Sequence, residues 1–450
     1  MSLKISPLSW RRSSRYAEPL IPESSVPSLP AEIWFKIIRF TTRLAGHDNL
    51  GLDDAFGPAF SDEEHPEIDT GVFRDRRHMS LVCSAWAELI RNISAEYLVV
   101  YSDKQLKRLV KRLEMDKNST ERRFGARTTR VDFKIVGEYN AKLAARLFRS
   151  TPNLLIYSNK NGPGDHPVRY TPHEVLRSLL AHCGQTLRRV DWAGPGEPPR
   201  YQDLAFFCNH LPKLTTLRLM AIYSYPRLPD GAPPTMRLPS LTTLSLGIIP
   251  EPPVHKEHYA ITWDPLLQYL SLSPQQLPAL NRFECDLFPQ QVATMVFFNA
   301  HGSKLRLFRT TTCFADAQLP QAVSACSNLR DLVIVHGAEV VAFPQHHPTL
   351  ERVCLLPTID VQVDMPKKMF SNAVLNPLDD LLKRAETMIA PNLKEIRIRN
   401  VGGFTAIVDQ EFWIMNWYRR LRLRRIEFVD QFGISYDKFD NRTPLDLVRC

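Results

Sequence analysis

Glycine is scarce, 18 residues in 450, and none of the runs GxGxxG, GxxxxGK(S/T) or GxSxG occurs. Dinucleotide loops, phosphate loops and nucleophile elbows all need glycine where the backbone turns sharply or meets a ligand, so those chemistries are excluded. HExxH is missing as well, because His173-Glu174 is not followed by a second histidine at the required spacing. The eight cysteines, at 83, 183, 208, 285, 313, 326, 354 and 450, form no CxxC pair. Neither a zinc framework nor a redox dithiol is indicated, and reduced thiols in a cytoplasmic or nuclear protein are expected. His255 and His258, and the adjacent His346 and His347, lie in Pro-rich stretches and read as exposed loop histidines. No metal and no cofactor is expected. No apolar run reaches the about 18 residues that span a bilayer, and no signal-peptide core follows the first residues, so no membrane partner is expected.

Proline is plentiful at 35, which favours short, abruptly ended elements over long bundles. With 44% hydrophobic and 23% charged residues the chain should fold, and its length allows a sizeable core. The net charge of +9 permits a polyanionic or acidic partner without requiring one.

Residues 1–26 are rich in Ser, Pro and Arg and read as a disordered arm. A helix is predicted from Pro30, with Glu32 at its positive end and Ile33, Ile37 and Phe40 on one face. Residues 43–70 hold eight acids against Arg43 alone and read as a solvated acidic insertion; they lack the calcium-loop pattern. A second helix is predicted over Arg76–Ile90, with Met79, Val82, Cys83, Trp86, Leu89 and Ile90 on one side. Lys104, Lys107, Arg108, Lys111 and Arg112, set between Leu106, Leu109 and Leu113, describe a basic amphipathic helix whose charged face is solvated.

From about residue 150 a short pattern recurs: an apolar residue, two variable ones, an apolar, one variable, an apolar. It begins at Leu187, Leu214, Leu241, Leu280, Leu305, Leu329, Leu350, Leu393 and Leu423, with spacings of 27, 27, 39, 25, 24, 21, 43 and 30. The last two apolar positions, two apart, point to one face of a short strand, and helices fit between the copies, for example over 171–183 and 201–211. Strand then helix at a repeating period stacks into a parallel sheet lined by helices on its convex side, each unit burying its apolar edge only against its neighbours. The Asn or Cys common after such strands is largely absent, which predicts irregular turns on that edge. The fold class expected is therefore α/β: a small helical module over 27–98, a basic connector or irregular first repeat over 99–150 with a strand within 129–135, an irregular leucine-rich-repeat solenoid over 151–432, and a tail over 433–450.

Leu29-Pro30-x-Glu32-Ile33-x-x-x-Ile37-Ile38, followed after the insertion by Ser80-Leu81-Val82-Cys83-x-x-Trp86-x-x-Leu89, resembles an F-box, and an F-box followed by leucine-rich repeats is a known family architecture. The resemblance implies docking onto the Skp-family adaptor, and through it the cullin, of an SCF-type cullin–RING ubiquitin ligase. Leu29, Pro30, Ile33, Ile37 and Ile38 would offer one apolar surface to the adaptor, and Val82, Cys83 and Trp86 would supply or support a second. The family's role in ubiquitin-dependent protein degradation is to hold a target while other subunits do the chemistry, so the resemblance implies no enzyme activity.

The solenoid face is then the place for a protein target. Reading the residue between the two strand apolars, and the one after them, gives Asp191, Arg218, Glu284, Asp286, Arg309, Arg397, Arg399 and Glu427 as target-facing. Acids and arginines balance there, so the continuous basic stripe of a nucleic-acid binder is not expected. The basic cluster Arg419, Arg420, Arg422, Arg424 and Arg425 fits either an anion patch or the polar face of a capping repeat. A repeat scaffold whose F-box is non-functional stays open as the alternative.

Overall fold

A computed structural model of the chain describes residues 29–44, 46–57, 70–115, 124–162, 170–194, 196–222, 236–247, 263–285, 291–311, 318–336, 342–357, 374–399 and 411–435. The amino-terminal arm, the tail beyond 435, Asp286, His255, His258 and the acids of 58–69 lie outside the described residues. The chain divides into two compact units, Met1–Arg43 and Leu44–Cys450.

In the first unit, helix α1 (Ala31–Thr41) begins one residue behind Pro30, which serves as its N-cap. Proline costs nothing there, having no amide to leave unsatisfied, and its carbonyl accepts from the amides of Ile33 and Trp34 at 2.9 and 3.2 Å. Thr42 closes the other end, its hydroxyl donating to the Ile38 carbonyl at 2.6 Å.

The second unit opens with two helices where the periodicity predicts one: α2 (Thr70–Met79) and α3 (Ser84–Ser94). Between them the chain tightens, the amides of Leu81 and Val82 bonding three residues back to His78 and Met79, and Cys83 turns fully extended at φ −160° to start α3. Met79 and Trp86 therefore do not share one helical face.

Twelve strands follow among the described residues: β1 (Tyr97–Val100), β2 (Arg130–Phe133), β3 (Ile156–Asn159), β4 (Arg189–Trp192), β5 (Thr216–Leu219), β6 (Thr243–Leu246), β7 (Arg282–Cys285), β8 (Leu307–Thr311), β9 (Asp331–His336), β10 (Arg352–Pro357), β11 (Glu395–Ile398) and β12 (Glu427–Val429). All belong to one parallel sheet in chain order, each paired only with its sequence neighbours, which is a solenoid-like α/β arrangement. Helices return the chain between strands, among them α4 (Asp103–Met115), α5 (Ala141–Ser150), α6 (His173–Cys183), α7 (Tyr201–Asn209), α8 (Asp264–Leu270), α9 (Gln291–His301), α10 (Gln318–Ala325), α11 (Asn376–Thr387) and α12 (Glu411–Leu423). The basic helix α4 buries Leu106, Val110 and Leu113 and leaves Lys104, Lys107, Arg108, Lys111 and Arg112 exposed.

The core runs the length of the sheet. Column-mates Val131, Tyr157, Val190, Leu217, Leu244, Phe283, Phe308, Leu332, Val353, Ile396 and Phe428 stack in register and pack with the buried faces of the helices. Each such side chain contributes about 1.5–3 kcal/mol on burial, which offsets the ordering of short four-residue strands with little propensity of their own.

Eight of the nine pattern copies sit in the predicted register. The ninth does not: Phe428 stands beside Ile396, so Leu423 is 87% exposed and the copy is displaced by two residues. Arg425 takes a left-handed backbone (φ 61°) to absorb the extra chain. Three strands precede the predicted first copy. β2 falls where a strand was expected within 129–135, β3 carries Tyr157 and Asn159 in place of aliphatics, and β1 runs across the boundary drawn at 98/99.

After the strands the turns are stitched around β2 to β4, where Asn161 accepts from the Ile135 amide at 2.8 Å and donates to Glu197 at 2.7 Å; along the rest of the sheet the stitching is at the edge before the strand. In seven units the residue immediately ahead of the first leucine donates to a carbonyl of the preceding turn: Asn153 to Ala126 (2.8 Å), Thr186 to Pro152 (3.1 Å), Ser240 to Pro212 (2.6 Å), Lys304 to Pro274 (2.6 Å), Asn328 to Ser303 (2.7 Å), Thr349 to Ser327 (3.0 Å) and Asn392 to Pro348 (2.6 Å).

Candidate functional site

The sheet face turned away from the helices carries two side-chain columns. One is the position between the strand apolars; the other is the first strand residue, two places earlier, which the sequence reading passed over. Strand residues i and i+2 lie on the same face, and three strands use this to pair an arginine with an acid. Arg130 Nε and Nη2 donate to Asp132 at 2.7 and 2.8 Å. Arg189 Nε and Nη2 donate to Asp191 Oδ2 at 2.9 and 2.7 Å. Arg282 Nε donates to Glu284 Oε1 at 2.7 Å. On β11 the order is reversed, Arg397 Nε donating to Glu395 Oε1 at 2.7 Å.

Each carboxylate fixes its guanidinium from one side and leaves Nη1 aimed across the face. What those nitrogens meet is the chain's own segment 46–57. Arg130 Nη1 donates to the Gly46 carbonyl (3.1 Å), Arg189 Nη1 to those of Asn49 (3.1 Å) and Gly51, Arg282 Nη1 to that of Leu52 (3.4 Å), and Arg397 Nη1 to that of Gly57 (3.0 Å). The Thr216 hydroxyl donates to the Leu50 carbonyl at 2.8 Å, and Arg399 Nη1 to the Asp54 carbonyl and the Asp53 carboxylate at 3.0 and 2.9 Å. Gly46 holds φ 66°, which suits the turn that brings the segment onto the sheet. The segment contains neither helix nor strand, so these carbonyls lack secondary-structure partners and the arginines supply them. It crosses from β2 to β11.

This corrects the reading of 43–70 as a wholly solvated insertion. Leu44, His47, Leu52, Ala55 and Phe56 are buried. Phe56 and Ala55 pack with Val333, Cys354 and Leu356 of β9 and β10, beside Val335. The Arg352 guanidinium lies 4.2 Å over the Phe56 ring while Asp331 grips it at 2.6 and 2.8 Å. Asp54 Oδ1 accepts from the Phe56 amide at 3.0 Å, a local turn that aims the ring.

The electrostatics are those of closed pairs. Burial pushes the Asp191 carboxyl up, but Arg189, by charge and hydrogen bonds, with Arg218 and Arg130 beyond it, outweighs this and leaves it below the ordinary value. Glu284 follows the same course: burial raises it, and Arg282, Arg309 and the Ser245 hydroxyl bring it below. Burial pushes the Cys354 thiol up to about 12, so it is no thiolate at neutral pH.

Of the residues predicted to face a target, Asp191, Glu284, Arg397 and Arg399 are buried in these pairs or under the segment. Arg218 and Arg309 are half-buried on the same face, and Glu427 is exposed but belongs to the first column, beside Glu395, because of the displaced last copy. The missed residues are Arg130, Arg189, Arg282 and Arg352. The alternation Arg-x-Asp/Glu in three strands was the available signal for three of them.

Of the residues predicted to meet an adaptor, Leu29, Ile33 and Ile37 are 44%, 38% and 40% exposed in the first unit, and Ile38 is buried. Pro30 is exposed. In the second unit Val82 is 62% exposed, Cys83 is exposed, and Trp86 is half-buried.

His347 is buried, contrary to expectation, its Nε2 3.2 Å from the Cys326 carbonyl, whereas His346 is exposed. Among the described residues no three His, Cys, Asp or Glu side chains group as a metal site, and no helix is long and apolar enough to cross a membrane. The basic cluster near the end is partly used internally: Arg420 donates to Glu386 (2.9 Å), Arg424 to the Met388 carbonyl (2.9 Å) and Arg422 to the Tyr418 hydroxyl (2.9 Å). Compared with known proteins, the chain matches no family model and no curated protein.

Proposed function

We propose that the chain is a substrate-receptor subunit of an SCF-type cullin–RING ubiquitin ligase, with its F-box-like segments docking on a Skp-family adaptor and its leucine-rich-repeat-like sheet holding a protein target. The observation that carries this is the exposure of large apolar side chains on the segments with the F-box-like motif: Leu29, Ile33 and Ile37, and separately Val82. With exposed Phe40, Ile33 and Ile37 give the four-three spacing that helix-in-groove docking needs, and a few such side chains supply most of an interface's affinity. The protein acts by proximity, raising the local concentration of a target beside the ubiquitin donor, and itself makes no bond.

A pull-down with purified Skp-family adaptor tests this. The intact chain is expected to bind, Leu29→Ala/Pro30→Ala to lose binding while keeping its circular dichroism, and an adaptor-blind intact chain would overturn the reading. The competing reading, a repeat scaffold with a non-functional F-box, is favoured by one observation: the family's two motif halves are separated by a segment that is partly laid on the sheet rather than by a short link.

A further inference from the structure

We propose that the open face of the sheet is a groove for a non-helical, turn-containing peptide bearing an acidic residue and, three positions later, an aromatic one, and that Asp53 and Phe56 of residues 46–57 fill it in cis until a target of the same chemistry displaces them. The groove recognises a main chain. Its arginine Nη1 atoms and the Thr216 hydroxyl address the carbonyls of Gly46, Asn49, Leu50, Gly51, Leu52, Asp54 and Gly57, neutral acceptors that any peptide repeats and a sugar–phosphate backbone does not. The carboxylates paired with those arginines also cancel much of their charge, so the face is not a polyanion track.

Two side-chain subsites give selectivity. Arg399 takes the Asp53 carboxylate at 2.9 Å, and the Val333, Cys354 and Leu356 pocket under Arg352 takes the Phe56 ring. The Asp54 turn between them fixes the spacing. No disulfide holds the segment down, and outside the buried His47, Leu52, Ala55 and Phe56 its ties are hydrogen bonds, mostly from arginines, of about 1.5–3 kcal/mol each. Such a segment opens locally without unfolding the sheet.

The inference deepens the receptor reading by naming the target's chemistry, and it rests on that reading only for the target's fate; groove binding is measured without adaptor, so the two fail separately. A fluorescent peptide of residues 46–57 is titrated into the full chain and into Asp53→Ala/Phe56→Ala. The tethered segment competes at an effective concentration on the order of millimolar, so the double variant should bind the peptide at least about tenfold more tightly than wild type. Peptides lacking the acid or the aromatic should lose that gain. Equal, absent binding to wild type and a folded double variant would overturn the proposal, as would an oligonucleotide that competes as well as the peptide. Should the double variant not fold, hydrogen exchange on wild type decides. Amides of 46–57 exchanging well before those of β4 to β10 support a displaceable segment, and exchange only with global unfolding overturns it.

Discussion

At the residue scale the arginine–acid pairs are the feature most exposed to test. Arg189 and Asp191 are both buried, and removing one partner strands the other charge away from water. Arg189→Ala should therefore cost about 3–5 kcal/mol, read as a fall in the urea midpoint, whereas Arg189→Met with Asp191→Leu should recover most of it, since apolar replacement of a buried pair is often neutral or stabilising. A double variant as unstable as the single one would mean that the cost lies in the lost carbonyl contacts to Asn49 and Gly51 instead. Acid probes the same pairs. Because the folded-state pKa values of Asp191 and Glu284 lie below their ordinary ones, the stability they contribute is fully present above the unfolded value near ~4 and is lost as pH falls through the depressed folded values. Arg189→Met/Asp191→Leu should flatten part of the decline below about pH 4 in the same urea titrations.

At the scale of elements, strands and helices were legible because burial on one face imposes a period. Leu241-x-x-Leu244-x-Leu246 could only be a strand entering a core, and β6 lies there. β3 escaped because Tyr157 and Asn159 fill the slots of aliphatics, Asn159 turning its amide to the buried Glu197 at 2.9 Å. The last copy was misplaced because Leu423 fits the pattern yet ends a helix, and a pattern cannot show where a left-handed residue inserts a step. Segment 46–57 was illegible for a deeper reason: it is held chiefly through its carbonyls, which every residue owns, while its acids and glycines read as solvent-facing. The stitching residues, by contrast, had a signal in the polar residue ahead of most of the first leucines. Ser240, Asn328 and Asn392 each donate one such bond, so alanine at each should cost about 0.5–1.5 kcal/mol. Lying repeats apart and sharing no partner, the three should add in a triple variant, and a clear excess over the sum in chemical denaturation would show that the turns are coupled.

Across the second unit the sheet is one-dimensional: among the described residues β1 pairs with β2, β2 with β3, and each later strand only with its neighbours in order. A solenoid of that kind can lose its ends separately, since each repeat is stabilised only by its neighbours. Segment 46–57 is the exception, tying Arg130 on β2 and Arg189 on β4 to Arg397 on β11 through one stretch of chain. It should therefore raise the cooperativity of unfolding. Buried tryptophans report on both halves, Trp192 in β4 and Trp417 in α12. With the remaining tryptophans replaced by phenylalanine, fluorescence of each should follow one common urea transition in the otherwise native chain. In Asp53→Ala/Phe56→Ala the two transitions should separate, with the midpoints moving apart while the core of each half stays intact. If they remain coincident, the twelve strands cooperate through nearest-neighbour packing alone, and the arginine contacts across the open face serve the segment's attachment without binding the two ends of the sheet into one unit.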